Sequence, residues 1–560
     1  MKILFYSTLC ICFFCLNKIC SAQVTYAPLN GYSYHLVERY DILDTGANLI
    51  FHTATKPIMR LRLAELADRE NDFIAFNKRD AFNMQYLKED NSEYTEAVKV
   101  NEKALWNFFY REDASLWNYS GEDFYVKINP VLNMSTGLSS DTTEMKYQNT
   151  RGIELRGGVD NKVGFYLLAT DNQMKPPGYV KSKQQSQGPY PGAGISKTFK
   201  ETGYDFSVSK GYIGINATKH ISVLFGQDKL FIGDGVRSFV WSDNSNSVLF
   251  LRLNTNVWKI NYQNNFMELI DYNNPRLPNG LFRKKYATMH HLSVNITEDV
   301  NVGLFETIVF GRQDSAGYTQ GFEWQYFNPI IFYRAIEYGL GSPDNIMIGL
   351  NYKWNIKGTA SLYGQVVMDE MKFFELVENT GWWANKYAVQ AGLKYINAFK
   401  IANFDLQYEF NTIRPYMYSY YDNNVSSFTN YGQAIAHPIG ANFNEHIISA
   451  WYQPLPKIMI NNNMIINIFG ADTMGTNWGG NIFKNYTTYE MEYGNTTGQG
   501  ASTQLFMNDL MVSWMFWHNA FIDFRYIYRK VESEWNPYDT KETFFSIGLR
   551  LNAVPDKMWF

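Results

Sequence analysis

Most of the chain alternates apolar and polar residues one by one. In IMIGLNYKW, Ile346, Ile348, Leu350, Tyr352 and Trp354 fall on one side, and Met347, Gly349, Asn351 and Lys353 on the other. KYAVQAGLKY sets Tyr387, Val389, Ala391, Leu393 and Tyr395 against Lys386, Gln390, Gly392 and Lys394. NFDLQYEF sets Phe404, Leu406, Tyr408 and Phe410 against Asp405, Gln407 and Glu409, and FSIGLRLN sets Phe545, Ile547, Leu549 and Leu551 against Ser546, Gly548, Arg550 and Asn552. A period of two marks strands with one apolar and one polar face. About eighteen such segments lie between Phe124 and Leu551.

A soluble sandwich would bury the apolar faces between two sheets, whereas a transmembrane barrel turns them to lipid and points the polar faces inward. The linkers decide. Short ones fall near 160, 218, 255, 298, 356, 455 and 519; long ones span roughly 173–204, 230–247, 271–285, 310–345, 411–444 and 470–508. Tight turns at one end and long loops at the other are the habit of outer-membrane barrels. The pattern predicts an all-β transmembrane fold over 121–560, an antiparallel barrel of about 18 strands with both ends on the short-turn, periplasmic side. Tyr and Trp near strand ends suit aromatic girdles, and Phe560 supplies an aromatic just past the last strand. Lys353, Lys386, Lys394, Asp405, Glu409, Asp523, Arg525, Arg529 and Arg550 are then expected to face the lumen, where mixed signs fit a water-filled pore or a salt-bridged plug.

The amino-terminal part reads differently. Residues 1–22 have the form of an export signal: Lys2, the apolar run ILFYSTLCICFFCL, and CSA before Gln23. That run is too short to span a bilayer comfortably, so the expected destination is the bacterial outer membrane, in contact with its lipid. Residues 23–120 form a periplasmic segment, largely helical from about 57: Leu63, Leu66, Phe73 and Phe76, then Leu105, Phe108 and Phe109, recur at helical spacing, and Pro57 suits a helix start. Two to four helices here predict either a plug at the barrel mouth or a docking module, through residues 57–118, for a periplasmic or outer-membrane protein.

All four cysteines (Cys10, Cys12, Cys15 and Cys20) lie in the leader, which leaves no disulfide framework and no thiolate metal site. Aromatics make up 17% of the 560 residues, yet mean hydropathy is −0.31, too polar for a helical membrane protein. Of 50 Lys and Arg, Lys2 and Lys18 belong to the leader; the remaining 48 face 54 Asp and Glu, a charge of −6 that argues against nucleic acid.

Catalytic patterns are missing. There is no G-x-S-x-G, and the eight histidines (His35, His52, His220, His290, His291, His437, His446, His518) contain no H-E-x-x-H. His290 and His291 point to opposite faces of a strand, and the adjacent side chains of Asp369 and Glu370 also diverge. DNSNS at 243–247 lacks EF-hand spacing. The reading is non-enzymatic, without cofactor or metal. What stands out instead is WSDNSN (241–246), GWWANK (381–386), RPYMYSYYDNN (414–424) and TNWGGN (476–481). Aromatic faces stack on sugar rings, and Asn, Asp and Arg bond hydroxyls or a uronate. Candidate glycan contacts are Asp234, Arg237, Trp241, Asp243, Asn244, Trp382, Trp383, Tyr420 and Trp478. The stretch GDGVRSFVWSDNS (233–245) carries a second reading: Gly233 and Gly235 suit a tight fold-back that would brace the loop inside the barrel mouth.

Several peptides, in order, resemble the RemB group of gliding-motility outer-membrane proteins, which belongs with the Wzi-type capsule-assembly family. They are YHLVERYDI (34–42), HTATKPIMR (52–60), GDGVRSFVWSDN (233–244), FNPIIFYRAIEYGLGSPDN (327–345), GWWANKYAVQAGLKYINAF (381–399), FNTIRPYMYSYYD (410–422) and AHPIGANF (436–443). The resemblance implies an eighteen-stranded barrel with a periplasmic helical bundle, and a role in binding, attaching or assembling capsular polysaccharide or exopolysaccharide, or in gliding. Two alternatives are an outer-membrane channel for solute or polymer, and a structural partner of a motility or secretion machine.

Overall fold

A computed structural model describes residues 24–44, 51–69, 73, 76–95, 109–160, 162–312, 319–330, 332–342, 344–356, 358–422 and 425–560. The expected leader (1–22), Leu105 and Phe108 lie outside the described residues. Eighteen antiparallel strands close on themselves. They are β1 (Phe124–Ser139), β2 (Thr142–Val159), β3 (Val163–Lys175), β4 (Gly203–Asn216), β5 (Ile221–Asp228) and β6 (Val248–Val257), then β7 (Ile260–Asp271), β8 (Arg283–Asn295), β9 (Val300–Phe310), β10 (Asn345–Ile356), β11 (Ala360–Met368) and β12 (Tyr387–Tyr395). The circuit continues through β13 (Phe404–Ile413), β14 (Phe443–Leu455), β15 (Ile458–Ala471), β16 (Ala501–Trp517), β17 (Ala520–Ser533) and β18 (Thr540–Leu551). β18 pairs back onto β1, from Leu551 with Leu132 to Phe544 with Ser139. Closure leaves no sheet edge unpaired. Leu304, Trp354, Leu393, Tyr408, Phe524 and Phe545 are exposed on the outer wall as an apolar belt, while Asn351, Lys353, Lys394, Asp405 and Glu409 on the intervening positions are buried. No helix among the described residues is long and apolar enough to cross a membrane; strands make this barrel.

Short turns at one end and long loops at the other alternate as the linker lengths foretold, with three corrections. The turn expected near 255 falls at 258–259, because Asn254 and Asn256 continue β6 and both accept from Asn261 Nδ2 (2.8 and 2.6 Å). Their polarity belongs to the lumen, not to a turn. Two connections at the long-loop end, 140–141 and 534–539, are short. Residues 369–386 form a further long loop, and it holds Lys386, placed by periodicity on a strand.

Three pieces of chain occupy the lumen. The first is the amino-terminal segment, with helices α1 (Tyr32–Leu43), α2 (Arg60–Ala67) and α3 (Lys78–Asp90). Leu36, Val37, Tyr40, Leu63, Leu66, Met84 and Leu87 pack together and against Ile396, Met459, Met515 and Phe521 of the short-turn end. Asn77 and Asp80 form a capping box that starts α3. Sequence periodicity missed α1, and helix α2 starts three residues after Pro57, not at it. Phe73 sits in a β-bridge with Asp44, and Phe76 precedes the cap, so neither is helical. Phe109 is not in a helix either. Ion pairs tie the helices to the wall: Arg39 with Asp405 (2.5 Å), Asp41 with Lys353 (2.7 Å) and Glu38 with Lys394 (2.8 Å). Burial opposes ionisation of Glu38, but Lys394 and Lys56 together hold its carboxyl far below the usual range.

The second piece is the loop between β5 and β6. The third is residues 552–560, which turn back into the barrel instead of placing Phe560 in a girdle. Trp559 Nε1 donates to Asp509 (2.6 Å), Lys557 pairs with Asp243 (3.0 Å), and the Phe560 ring lies 6.0 Å from Tyr179 in helix α4 (Gly178–Gln187) of an outer loop. Lys557 and the indole N–H need partners that the lumen supplies and hydrocarbon does not.

Candidate functional site

After β5 the chain makes a two-residue sheet: Phe231–Ile232 pairs with Thr55–Lys56 of the amino-terminal segment. It then folds back sharply. Gly233 has φ +134°, and a Cβ on Gly235 would collide with the Glu409 carboxylate, so both positions need glycine. Glu409 accepts from the backbone N–H groups of Val236 (2.6 Å) and Arg237 (3.1 Å) and from Tyr363 Oη (2.8 Å). The Arg237 guanidinium forks onto Glu445 (3.0 and 3.3 Å) and donates to Trp559 O (3.0 Å); His437 Nε2 lies 2.8 Å from the same Glu445. Trp241 is 1% exposed and meets Phe428 edge-on at 5.9 Å.

The other polar residues of the stretch have partners too. Asp234 accepts from Thr53 Oγ1 (2.5 Å), and Asn244 Nδ2 donates to Ala434 O (2.8 Å). Asp243 accepts from Asn30 Nδ2 (2.6 Å). Burial opposes its ionisation, yet Lys557 and Lys229 hold its carboxyl well below the carboxylate range, while burial pushes the Lys229 ammonium down to about 8. Asp234, Arg237 and Trp241 are buried, and Asp243 and Asn244 half-buried, in contacts that brace the lumen. Each of the five has a partner far along the chain, and only Asp234 Oδ2 is buried without one.

The other four candidates lie at the long-loop end. The loops 369–386, 414–442 and 472–500 are stitched by backbone and side-chain bonds: Trp383 N to Glu492 O (2.9 Å), Tyr416 N to Gly479 O (2.9 Å), and Arg414 Nη1 to Asn495 O (2.8 Å). There Trp383 stacks on Tyr489 (4.7 Å, 15°), lies 5.1 Å from Tyr486 and 6.1 Å from Trp382, and meets Tyr416 edge-on (6.0 Å). Tyr420 contacts Tyr421 (4.9 Å) and Tyr486 (5.6 Å). Lys372 Nζ lies 3.9 Å over the Trp382 ring and Lys386 Nζ 4.1 Å over that of Tyr486. Lys386, fully buried, is also 3.3 Å from Glu370 and 3.7 Å from Asp369, whose carboxyl burial pushes up to about 7.

So Trp382, Trp383 and Tyr420 come together; Trp478 is half-buried against Gly500 and stacks on no ring among the described residues. Tyr416, Tyr421, Tyr486, Tyr489 and Lys372 join the cluster without having been singled out as contact residues, and so does Lys386, which was expected to face the lumen. The spacing of Tyr486 and Tyr489 in a long loop was the available signal. The remaining charged candidates sit in the lumen: Asp523 pairs with Arg550 (2.7 Å), Arg525 with Asp509 (2.6 Å), and Arg529 donates to Phe560 O (3.2 Å).

Two voids flank residues 555–559. One of about 260 Å³ is lined by Tyr166, Asn172, Lys210, Lys229 and the braced loop, the other of about 190 Å³ by Glu38, Trp451, Asp509 and Arg525. The tail stands between them.

No protein-family model matches the chain, and no curated protein does. Among solved structures, Wzi of Escherichia coli, an outer-membrane protein involved in group 1 capsule assembly and described as a carbohydrate-binding β-barrel, is similar with a TM-score of 0.58 at 10% identity over 95% of this chain and 100% of that one. OccK8 (OprE) and OprD of Pseudomonas aeruginosa align over 76% of this chain and 97% and 95% of theirs, at 8% and 10% identity, with TM-scores of only 0.42 and 0.41. The likeness to Wzi is one of fold: this chain is a closed eighteen-stranded antiparallel barrel of the outer-membrane kind, with a small helical part at its amino-terminal end.

Proposed function

We propose that this chain is a non-enzymatic outer-membrane barrel that binds cell-surface polysaccharide through its long-loop end. The observation that carries this reading is the cluster of Trp382, Trp383, Tyr421, Tyr486 and Tyr489, flanked by Lys372 and Glu370 on three cross-linked loops, with Tyr420 and Lys386 buried beneath it. Aromatic faces with adjacent charges are what pyranose rings with hydroxyl or carboxyl groups require. The carbohydrate binding described for Wzi supports the same reading. A link to gliding rests on the peptide resemblance alone. Residues 1–22 are proposed to be removed on export, with 23–120 on the periplasmic side. The occupied lumen disfavours an open channel.

The test is retention of purified capsular polysaccharide or exopolysaccharide from the producing cell on immobilised protein. Trp382→Ala with Trp383→Ala should reduce it while the barrel still migrates as folded on an unheated gel. Equal retention by the double variant overturns the assignment of the site.

A further inference from the structure

The connection 311–344 carries all but the last residue of one peptide, 327–345, and the proposed function leaves it unused. Residues 319–330 and 332–342 do not rise from the barrel. They fold down over the outside of β7, β8 and β9. Strand alternation fixes which wall residues lie beneath. Asn265, His291 and Thr307 face inward, so Asn264, His290 and Glu306 face outward, and the pairings set Asn264, His290, Glu306 and Ile348 in one row across four strands. The next row toward the short turns is Tyr262, Leu292, Leu304 and Leu350, of which Leu304 and Leu350 are exposed in the apolar belt. The rows are two residues apart, about 7 Å along the strand.

A carboxylate and an imidazole at that depth would be costly against hydrocarbon. Here they are fully buried. Both Glu306 oxygens accept from Tyr333 N (2.7 and 2.6 Å), at the start of the short helix α5 (Arg334–Leu340). The Tyr333 ring meets His290 edge-on at 4.5 Å, Phe327 stacks on Phe266 at 4.3 Å, and Tyr262 Oη donates to Pro329 O (2.7 Å). The base of the flap is pinned by Asp344, which pairs with Arg312 (2.7 Å) and accepts from Tyr326 Oη (2.6 Å). On its other side Trp324, Ile330, Phe332 and Tyr338 are 76, 66, 62 and 89% exposed.

Irregular backbone is tolerated at membrane depth only where protein covers its polar groups. The polar row on the wall and the polar backbone of the flap therefore answer each other. We propose that 319–330 and 332–342 form a flap embedded in the outer leaflet, with Trp324, Ile330, Phe332 and Tyr338 against lipid and Glu306 as its anchor on the wall. Continuity with the belt at Leu304 and Leu350 favours lipid as the occupant, and Trp and Tyr beside the exposed Arg334 suit the acyl–headgroup boundary. The inference rests on the barrel, not on glycan binding.

The test uses the full chain with its four cysteines replaced by serine and single cysteines introduced by Ile330→Cys, Phe332→Cys, Leu304→Cys (belt) or Thr487→Cys (exposed outer loop). Each is labelled with bimane and reconstituted in phosphatidylcholine vesicles containing brominated lipid. Labels at 330 and 332 should be quenched by lipid like the one at 304 and several-fold more than the one at 487, with aqueous iodide showing the reverse order. Tyr333→Pro, which removes the donor to Glu306, should release the flap: lipid quenching falls at 330 and is unchanged at 304. Iodide quenching at 330 and 332 equal to that at 487 overturns the proposal. So does shielding of both labels from both quenchers together with crosslinking to another chain, which would assign the face to a protein partner.

Discussion

Trp241 and Trp383 both come from aromatic, Asn-rich segments, and the structure demands opposite behaviour of them. Trp241 is almost fully buried between Phe428 and the lumen wall, within the cluster that includes Phe239, Val240, Ile435 and Phe443. A buried aromatic of its kind removes about 150–250 Å² from water, which at about 25 cal/mol per Å² is roughly 4–6 kcal/mol; large-to-small changes in cores cost about 3–5 kcal/mol once the cavity is included. Trp241→Ala should therefore lower the urea midpoint of the detergent-refolded barrel and the temperature at which it loses its compact gel migration. Trp383→Ala should leave both nearly unchanged, since its ring is only half-buried, but weaken polysaccharide retention by the worth of one stacking contact, about 0.5–1.5 kcal/mol or roughly two- to twelvefold in affinity. If Trp241→Ala unfolds like the parent and loses retention, the assignment of 233–245 to an internal brace is wrong.

Arg39→Ala leaves Asp80 buried without its cation and Asp405 with only His35, at a cost of about 3–5 kcal/mol; limited proteolysis should then cut the helical segment first, and an unchanged digest would refute the anchoring. Deleting 555–560 removes the partition between the 260 and 190 Å³ voids; the parent should be silent in planar bilayers and the deletion should give conductance steps, whereas a folded but silent deletion would show that the helices close the lumen alone. Asp369 has a raised pKa in the folded state, so its proton is held more tightly there than in the unfolded chain; its contribution to stability is full below the ordinary carboxylate range and is lost as pH rises toward about 7. Tryptophan fluorescence of the long-loop end should accordingly shift between pH 4 and 7, with Lys386 and Glu370 the charged groups facing Asp369, and Asp369→Asn should flatten the change.

What could be read in the sequence was what depends on neighbours along the chain. Period-two alternation located the strands and their inner faces, because a residue's side of the sheet is decided locally. What depends on distant partners was hidden. Asn254 and Asn256 mimic a turn until Asn261 is seen to bond both. Trp241 and Arg237 mimic a binding loop until Phe428, Glu445 and Glu409 close around them. Helix α1 mixes apolar residues with Glu38, Arg39 and Asp41, whose partners, Lys394, Asp405 and Lys353, lie more than 300 residues away. The sugar-stacking candidates divided along the same line: Trp382 and Trp383 are neighbours in sequence and in space, while Tyr486 and Tyr489 reach them only through the docking of loop 472–500.

The filled lumen and the loop cluster are then two parts of one arrangement. Eighteen strands enclose more space than their own side chains fill, and here the helices, the braced loop and residues 552–560 take it up with ion pairs that leave few charged wall groups unanswered. The brace reaches the long-loop end directly. Tyr418 Oη donates to Phe239 O (2.9 Å) and Ser242 Oγ to Ile435 O (2.8 Å), so loop 414–442 is bolted to the lumen segment. The same loop bears Tyr416, Tyr420 and Tyr421 and, through Arg414, holds loop 472–500. A glycan surface assembled from three long loops would lose most of its stacking energy to ordering entropy if those loops were free. Bolting them to a core inside the barrel removes that cost beforehand, so under the proposed function the filled lumen serves the binding face.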